Sequence, residues 1–206
     1  MPHYDSLGLP KDVGATDFLD SARLAGLLVL FGKNTMMAPP VNTLPYVNLS
    51  LYTNGISYVR HPNISPFDPL ISRDQVVPLF AGMWRQHSSI MVDPNYQPPN
   101  KDYISPSVRG HFIRCAGGKA HWYQDLWLVA DILWSAYVCP LDEPNQLISM
   151  LIVAGPWYLK LWTMLNKQWE KSILDYWCEN QGAWRQEPEL AKAMIETIKL
   201  QIGEST

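Results

Sequence analysis

Apolar residues along this chain recur mostly at helical spacing. Between Phe18 and Phe31 they occupy positions 18, 19, 22, 24, 25 and 27–31, so the second half of that stretch is apolar on every side. Such a pattern predicts a buried helix, opened by Thr16 or Asp17 as cap and ended by Gly32. Val47 to Tyr52 and Ile56 to Arg60 alternate at period two instead, on either side of Thr53-Asn54-Gly55. Asn-Gly between alternating runs predicts an antiparallel β-hairpin near residues 47–60, because both residues tolerate positive φ. Ser72-x-x-Gln75 reads as a capping box with Asp74 in the first turn. The helix it opens should run from Arg73 to about His87, with a kink or a 3₁₀ start at Pro78.

Beyond residue 106 the pattern is helical almost throughout. A short helix is expected over Ser107–Cys115, closed by Gly117-Gly118, and a Trp-rich one over 120–138. Pro140 and Pro144 break the run, and Asn145 is placed to cap the next helix. Residues 146–178 read as one long helix or two divided at Gly155-Pro156. Glu187-Pro188-Glu189 starts a last helix to about Ile202, with Leu190, Met194, Ile195, Ile198 and Ile202 as its single apolar stripe. No internal repeat interrupts this order. The expectation is one mainly α domain with a small antiparallel β-hairpin near residues 47–60. Residues 1–15 read as an extended N-terminal arm, and residues 33–46 and 88–106 as long Pro-rich loops.

Composition narrows the function classes. Of the 206 residues, 47% are hydrophobic and only 17% charged, against the usual figure of about 25%. Nine Trp and ten Tyr accompany that deficit, and both types concentrate where an apolar body meets a polar edge, as at interfaces. The surface therefore reads as one covered by other subunits. A net charge of −3 and the absence of any basic run exclude a phosphate-backbone binder, so no nucleic-acid partner is expected. Cys115, Cys139 and Cys178 are widely spaced and form no CxxC, which suits buried thiols in a reducing compartment and no metal. The N-terminus shows no secretory pattern, so synthesis in a cytoplasm is expected.

Ionisable residues crowd into one place. Arg60, His61, Asp68, Arg73 and Asp74 lie within fifteen residues. Arg60 and Arg73 have the chemistry to clamp an anionic or polyhydroxylated ligand, while His61 with Asp68 or Asp74 forms an acid–base pair. Tyr58 and Trp84 flank them as sugar platforms. The competing expectation is an Arg–Asp network that fastens the hairpin to the following helix. Elsewhere His121 and Asp125 are four residues apart with His111 nearby, in no known ligand spacing. Asp131 stands among Leu, Ile and Trp and needs water or an arginine, with Arg23, Arg109 and Arg114 as candidates. The apolar run from Leu147 to Leu159 is too short to span a bilayer, which needs roughly 20 residues, so membrane insertion is not the expectation. No nucleotide-binding, zinc-protease or serine-hydrolase motif occurs, and no cofactor is expected.

Tyr58-Val59-Arg60-His61-Pro62 followed by Ser72-Arg73-Asp74-Gln75-Val76-Val77-Pro78-Leu79 resembles uncharacterised proteins of tailed bacteriophages, in which Y-x-R-H-P precedes S-R-D-Q-x-x-P-L and an aromatic helical remainder. The resemblance covers about twenty residues closely and carries no catalytic role. It implies a viral origin and a place in the particle, in or near the tail. The expectation is a non-enzymatic structural or adaptor subunit of the virion, made in the host cytoplasm, whose partners are other virion proteins or further copies of itself. The arm and the two long loops would make those contacts. The alternatives are a polysaccharide-degrading enzyme using His61, Asp68 and Asp74 as catalytic residues, and a membrane-active protein using residues 126–165.

Overall fold

The computed structural model describes residues 3–11, 20–32, 47–55, 57–63, 71–99, 102–138, 144–179 and 187–204. The 33–46 loop, Asp68, Cys139 and the expected cap at Thr16 or Asp17 lie outside them. The described chain is mainly α. Two short strands, β1 (His3–Tyr4) and β2 (Pro10–Lys11), pair antiparallel with His3 opposite Lys11. Then come α1 (Ser21–Phe31), α2 (Arg73–Arg85), α3 (Pro106–Cys115), α4 (Trp122–Val138), α5 (Pro144–Ala154), α6 (Pro156–Leu165), α7 (Trp169–Leu174) and α8 (Pro188–Ile202).

The centre is the α1–α2 pair. Every α1 residue except Arg23 is buried, as its all-round apolar pattern requires. Against it α2 buries Val76, Val77, Leu79, Phe80 and Met83. The helices touch backbone to backbone at Gly26 and Gly82, where no side chain separates them. α3, α5 and α8 pack around this pair, while α4 lies outside on α3 and α6. Val108 and Phe112 of α3, Ile148 and Leu151 of α5, and Leu190, Met194 and Ile198 of α8 complete one core. Each such side chain contributes about 1.5–3 kcal/mol by leaving water.

Residues 3–11 fold back rather than run as an extended arm. The Asp5 carboxylate accepts the amides of Leu7 (2.8 Å) and Leu9 (2.9 Å), and Leu9 enters the core. This Asx-type turn needs only one carboxylate two residues before its amide, a local signal that composition hides. The 47–60 segment does reverse at Asn54-Gly55, with Gly55 at φ +82° and an antiparallel bridge between Thr53 and Tyr58. Its first arm, however, is a 3₁₀ turn over Leu49–Tyr52. Asn48 caps that turn by accepting the Ser50 amide at 3.1 Å, a local bond that competes with strand pairing.

Two caps differ from expectation. Ser72 precedes α2 but its side chain makes no capping bond, and Gln75 instead donates to Asp20 at 3.4 Å. The role passes to Asp102, whose carboxylate accepts the Arg73 amide at 2.8 Å. Asn145 does not cap α5 but lies inside it, buried. Pro78 sits within a continuous α2. Pro156 begins α6 after Gly155, which holds φ +116° between α5 and α6. After α7 the chain runs into a π-helical turn over Asp175–Glu179.

Candidate functional site

The ionisable cluster is distributed over the α1–α2 end of the fold. His61 is fully buried, with Nε2 3.0 Å from Oδ2 of Asp5. Its Nδ1 accepts the Asn63 amide at 3.1 Å, so the ring proton sits on Nε2, the nitrogen beside the carboxylate. Burial lowers the His61 pKa, and Asp5 pulls the other way. The edge of the pair meets Tyr52, whose hydroxyl shares a 2.7 Å hydrogen bond with Ser21 Oγ. Asp5 is therefore a carboxylate partner of His61. Sequence spacing does not point to it, because spacing registers neighbours in the chain and Asp5 lies far away in the sequence, while Asp74 pairs with Arg23.

The other members have separate partners. Asp74 lies 3.7 Å from Arg23, which also pairs with Asp20. Arg73 donates through Nε to Gln146 (3.2 Å) and through Nη1 to the Tyr103 carbonyl (3.3 Å), joining α2 to α5 and to the 102–105 segment. Arg60 is half-buried beyond the Asn54-Gly55 turn, and Trp84 packs part-buried against the core. Asp68 lies outside the described residues.

Tyr58 is buried, not offered to a ligand. Its hydroxyl donates to the Met91 carbonyl (2.6 Å) and accepts the Asp93 amide (2.8 Å). Its ring meets Phe80 and Tyr96 edge-on, each at 4.8 Å between centroids. Tyr58→Phe keeps the rings but strands both partners in a part-buried setting. The expected loss is about 1–3 kcal/mol, read as a lower urea midpoint at unchanged m-value.

The remaining titratable candidates are held apart. His111 is buried and Nε2 meets the Val77 carbonyl at 2.9 Å, while burial drives its pKa down to about 4. Asp125 pairs with Arg114, and His121 is exposed and stacked on Tyr123. Asp131 finds neither Arg23, Arg109 nor Arg114. Ser107 donates to it, and Arg73 supplies the favourable charge, while burial raises its pKa. Cys115 is a buried thiol beside His111, its pKa pushed up by burial. Among the described residues no group of three His, Cys, Asp or Glu is placed to hold a metal ion.

The unexplained feature is α4, which is built inside out. Its exposed positions are Trp122, Tyr123, Leu126, Trp127, Ala130, Leu133, Trp134 and Tyr137, with Trp122 74%, Trp134 65% and Tyr137 88% exposed. Its polar side chains turn inward: Gln124 accepts the His121 amide (2.8 Å), Asp125 meets Arg114, and Asp131 meets Ser107. Trp157, Met164 and Leu165 of neighbouring α6 extend the apolar surface. Scattered exposed hydrophobes are ordinary, but a whole helix face of Trp, Tyr, Leu and Ala with no charged position is not. The signal was present in the sequence as Trp122, Trp127 and Trp134. Which side they faced was not, because Asp125 and Asp131 mark the polar side as readily for water as for buried partners. Among the described residues no helix is long and apolar enough to cross a membrane. No protein-family model, curated protein or solved structure matches the chain.

Proposed function

We propose that this protein is a non-enzymatic structural or adaptor subunit of a bacteriophage particle, associated with the tail, whose outward α4 surface is covered by neighbouring subunits. The observation that carries the reading is the uncharged aromatic face of α4 and its extension onto α6. Exposing that many Trp, Tyr and Leu side chains to water costs free energy that only a covering partner recovers. The low charge content supports the same conclusion, since few residues keep the surface solvated. The separate engagement of His61, Arg73 and Asp74 suits a fastening role for the ionisable cluster, as the alternative to a cleft. The phage assignment rests on the Arg60-His61-Pro62 and Ser72 to Leu79 resemblance.

Quantitative mass spectrometry of purified particles from the source virus tests it. The expected result is a fixed copy number, a multiple of three, six or twelve, as for a symmetric structural subunit. Absence from particles overturns the assignment.

A further inference from the structure

We infer that the outward face of α4 is a self-association seam on which two copies of this chain pair antiparallel about a two-fold axis at Ala130. The inference rests on the reading of the chain as an assembly subunit and names the partner at that surface.

The spacing of the exposed residues is the first ground. Tyr123, Leu126, Ala130, Leu133 and Tyr137 recur at three- and four-residue steps, the repeat of a helix that packs along another helix. A lone surface helix in water has no use for it. The seam runs about 21 Å at 1.5 Å per residue.

The order of residue types is the second ground, and it singles out a second copy. Reading outward from Ala130 in either direction meets a Leu and a Trp, then a Tyr: Trp127, Leu126 and Tyr123 one way, Leu133, Trp134 and Tyr137 the other. At about 100° per residue Trp127 and Trp134 fall on one flank of the seam and Leu126 and Leu133 on the other, with both tyrosines near the midline. A two-fold axis at Ala130 places Trp134 of one copy in the layer of the partner's Leu126, and Leu133 in the layer of the partner's Trp127. It also joins Trp flank to Trp flank and Leu flank to Leu flank. An isologous contact needs this self-complementarity. Ala130, the smallest side chain on the face, lies where the two axes must approach most closely, within the usual 8–10 Å.

Charge and area agree. No exposed α4 side chain from Trp122 to Tyr137 is charged at neutral pH, so two identical faces meet without like-charge repulsion or stranded charge. The exposed parts of the seven large side chains total on the order of 900 Å², taking about 200 Å² for a whole aromatic side chain. A stable interface buries about 800 Å² per partner. A lipid surface fits less well. Interfacial helices carry Lys and Arg along their polar face, and α4 carries none.

The test uses the full chain. Multi-angle light scattering should give twice the 23.5 kDa chain mass at micromolar concentration. Leu133→Glu, at a position 53% exposed in the single chain, should weaken self-association about a hundredfold or more while leaving the far-ultraviolet spectrum unchanged. Ala130→Cys should cross-link two copies through position 130 under mild oxidation. Tyr123→Cys should not, because its copies lie about 21 Å apart along the seam. A monomer at these concentrations overturns the inference, as does a dimer untouched by Leu133→Glu. Binding of phosphatidylcholine vesicles that Leu133→Glu abolishes would assign the face to lipid and overturn it as well. A monomer that is nonetheless found at fixed copy number in particles sinks the seam alone, and a dimer absent from particles sinks the virion reading alone.

Discussion

Gly26→Ala should cost the protein a large fraction of its stability, and Gly82→Ala nearly as much. Both glycines sit in helix interiors, where alanine is ordinarily better by about 1 kcal/mol. Here that gain is overwhelmed. A Cβ on Gly26 would overlap the Pro78 carbonyl of α2 and lie 2.6 Å from the Leu79 nitrogen. A Cβ on Gly82 would lie 2.7 Å from the Gly26 carbonyl oxygen and 2.9 Å from the Gly26 Cα. These obstacles are backbone, so no side chain can rotate away. The helices must separate instead, and α1 buries nearly all its residues while α2 buries nine in succession from Gln75 to Met83. Opening that contact loosens the best-packed part of the core. Overpacking usually costs about 1–3 kcal/mol, and a main-chain clash belongs at or above the top of that range. Against a total of roughly 5–15 kcal/mol, an expected net loss of about 3 kcal/mol or more is a large fraction. Urea unfolding followed by Trp fluorescence measures it. The order is diagnostic: Gly26→Ala meets only α2 backbone, whereas part of the Gly82 obstruction is the Leu49 side chain, which can move. If Gly82→Ala proves the more damaging, the backbone contact does not set the α1–α2 distance.

That contact also marks the limit of what sequence reading reaches. The existence of α1 and α2 follows from periodicity, and the apolar ring of Leu27 to Phe31 correctly places α1 in the interior. The single stripe of α8 likewise found its core, with Leu190, Met194 and Ile198 buried. What periodicity lacks is partner identity. Gly26 and Gly82 are unremarkable until two helices cross at them. His61 carried the right chemistry for a carboxylate partner, but the turn that delivers Asp5 forms 56 positions earlier in the chain. In place of the Ser72 capping box, the Gln75 amide donates to the Ser72 main-chain carbonyl at 3.1 Å, and the first amide of α2 goes to Asp102, brought in from the 88–106 loop. A carboxylate at a helix N-terminus gains from the dipole as well as the hydrogen bond, which a hydroxyl does not. α4 inverts the usual rule that polar residues face water, and a pattern cannot report that without the neighbours Arg114 and Ser107.

Glu187→Gln should change how the stability of this protein depends on pH between about 4.5 and 8. Glu187 precedes α8 and is 2% exposed, with Oε1 buried and without a hydrogen bond. Its amide donates to the Trp177 carbonyl at 2.9 Å, which ties the residue in place. Burial pushes its carboxyl up to about 7, against about 4.3 in an unfolded chain. Between those values the folded state holds the proton that the unfolded state has shed, so stability falls as pH rises from about 4.3 to about 7. Buried His111 acts in the opposite sense. Its folded pKa of about 4 lies below the unfolded value of about 6.5, so the unfolded chain binds the extra proton and stability rises with pH across that interval. The two slopes oppose each other in the wild type below pH 6.5. Glutamine keeps the size of Glu187 and removes its titration. At pH 4 the two proteins should be equally stable. By pH 8 the variant should lead by about 3 kcal/mol. The shift alone sets a ceiling of about 4 kcal/mol, and the N-terminal end of α8 returns roughly 0.5–1 kcal/mol to the ionised form. With Glu187 silent, the variant should gain stability from pH 4 to 6.5 on the strength of His111. Thermal unfolding of both proteins from pH 4 to 8 reads the difference directly, and a difference that does not grow with pH would show that Glu187 is ionised in the folded chain.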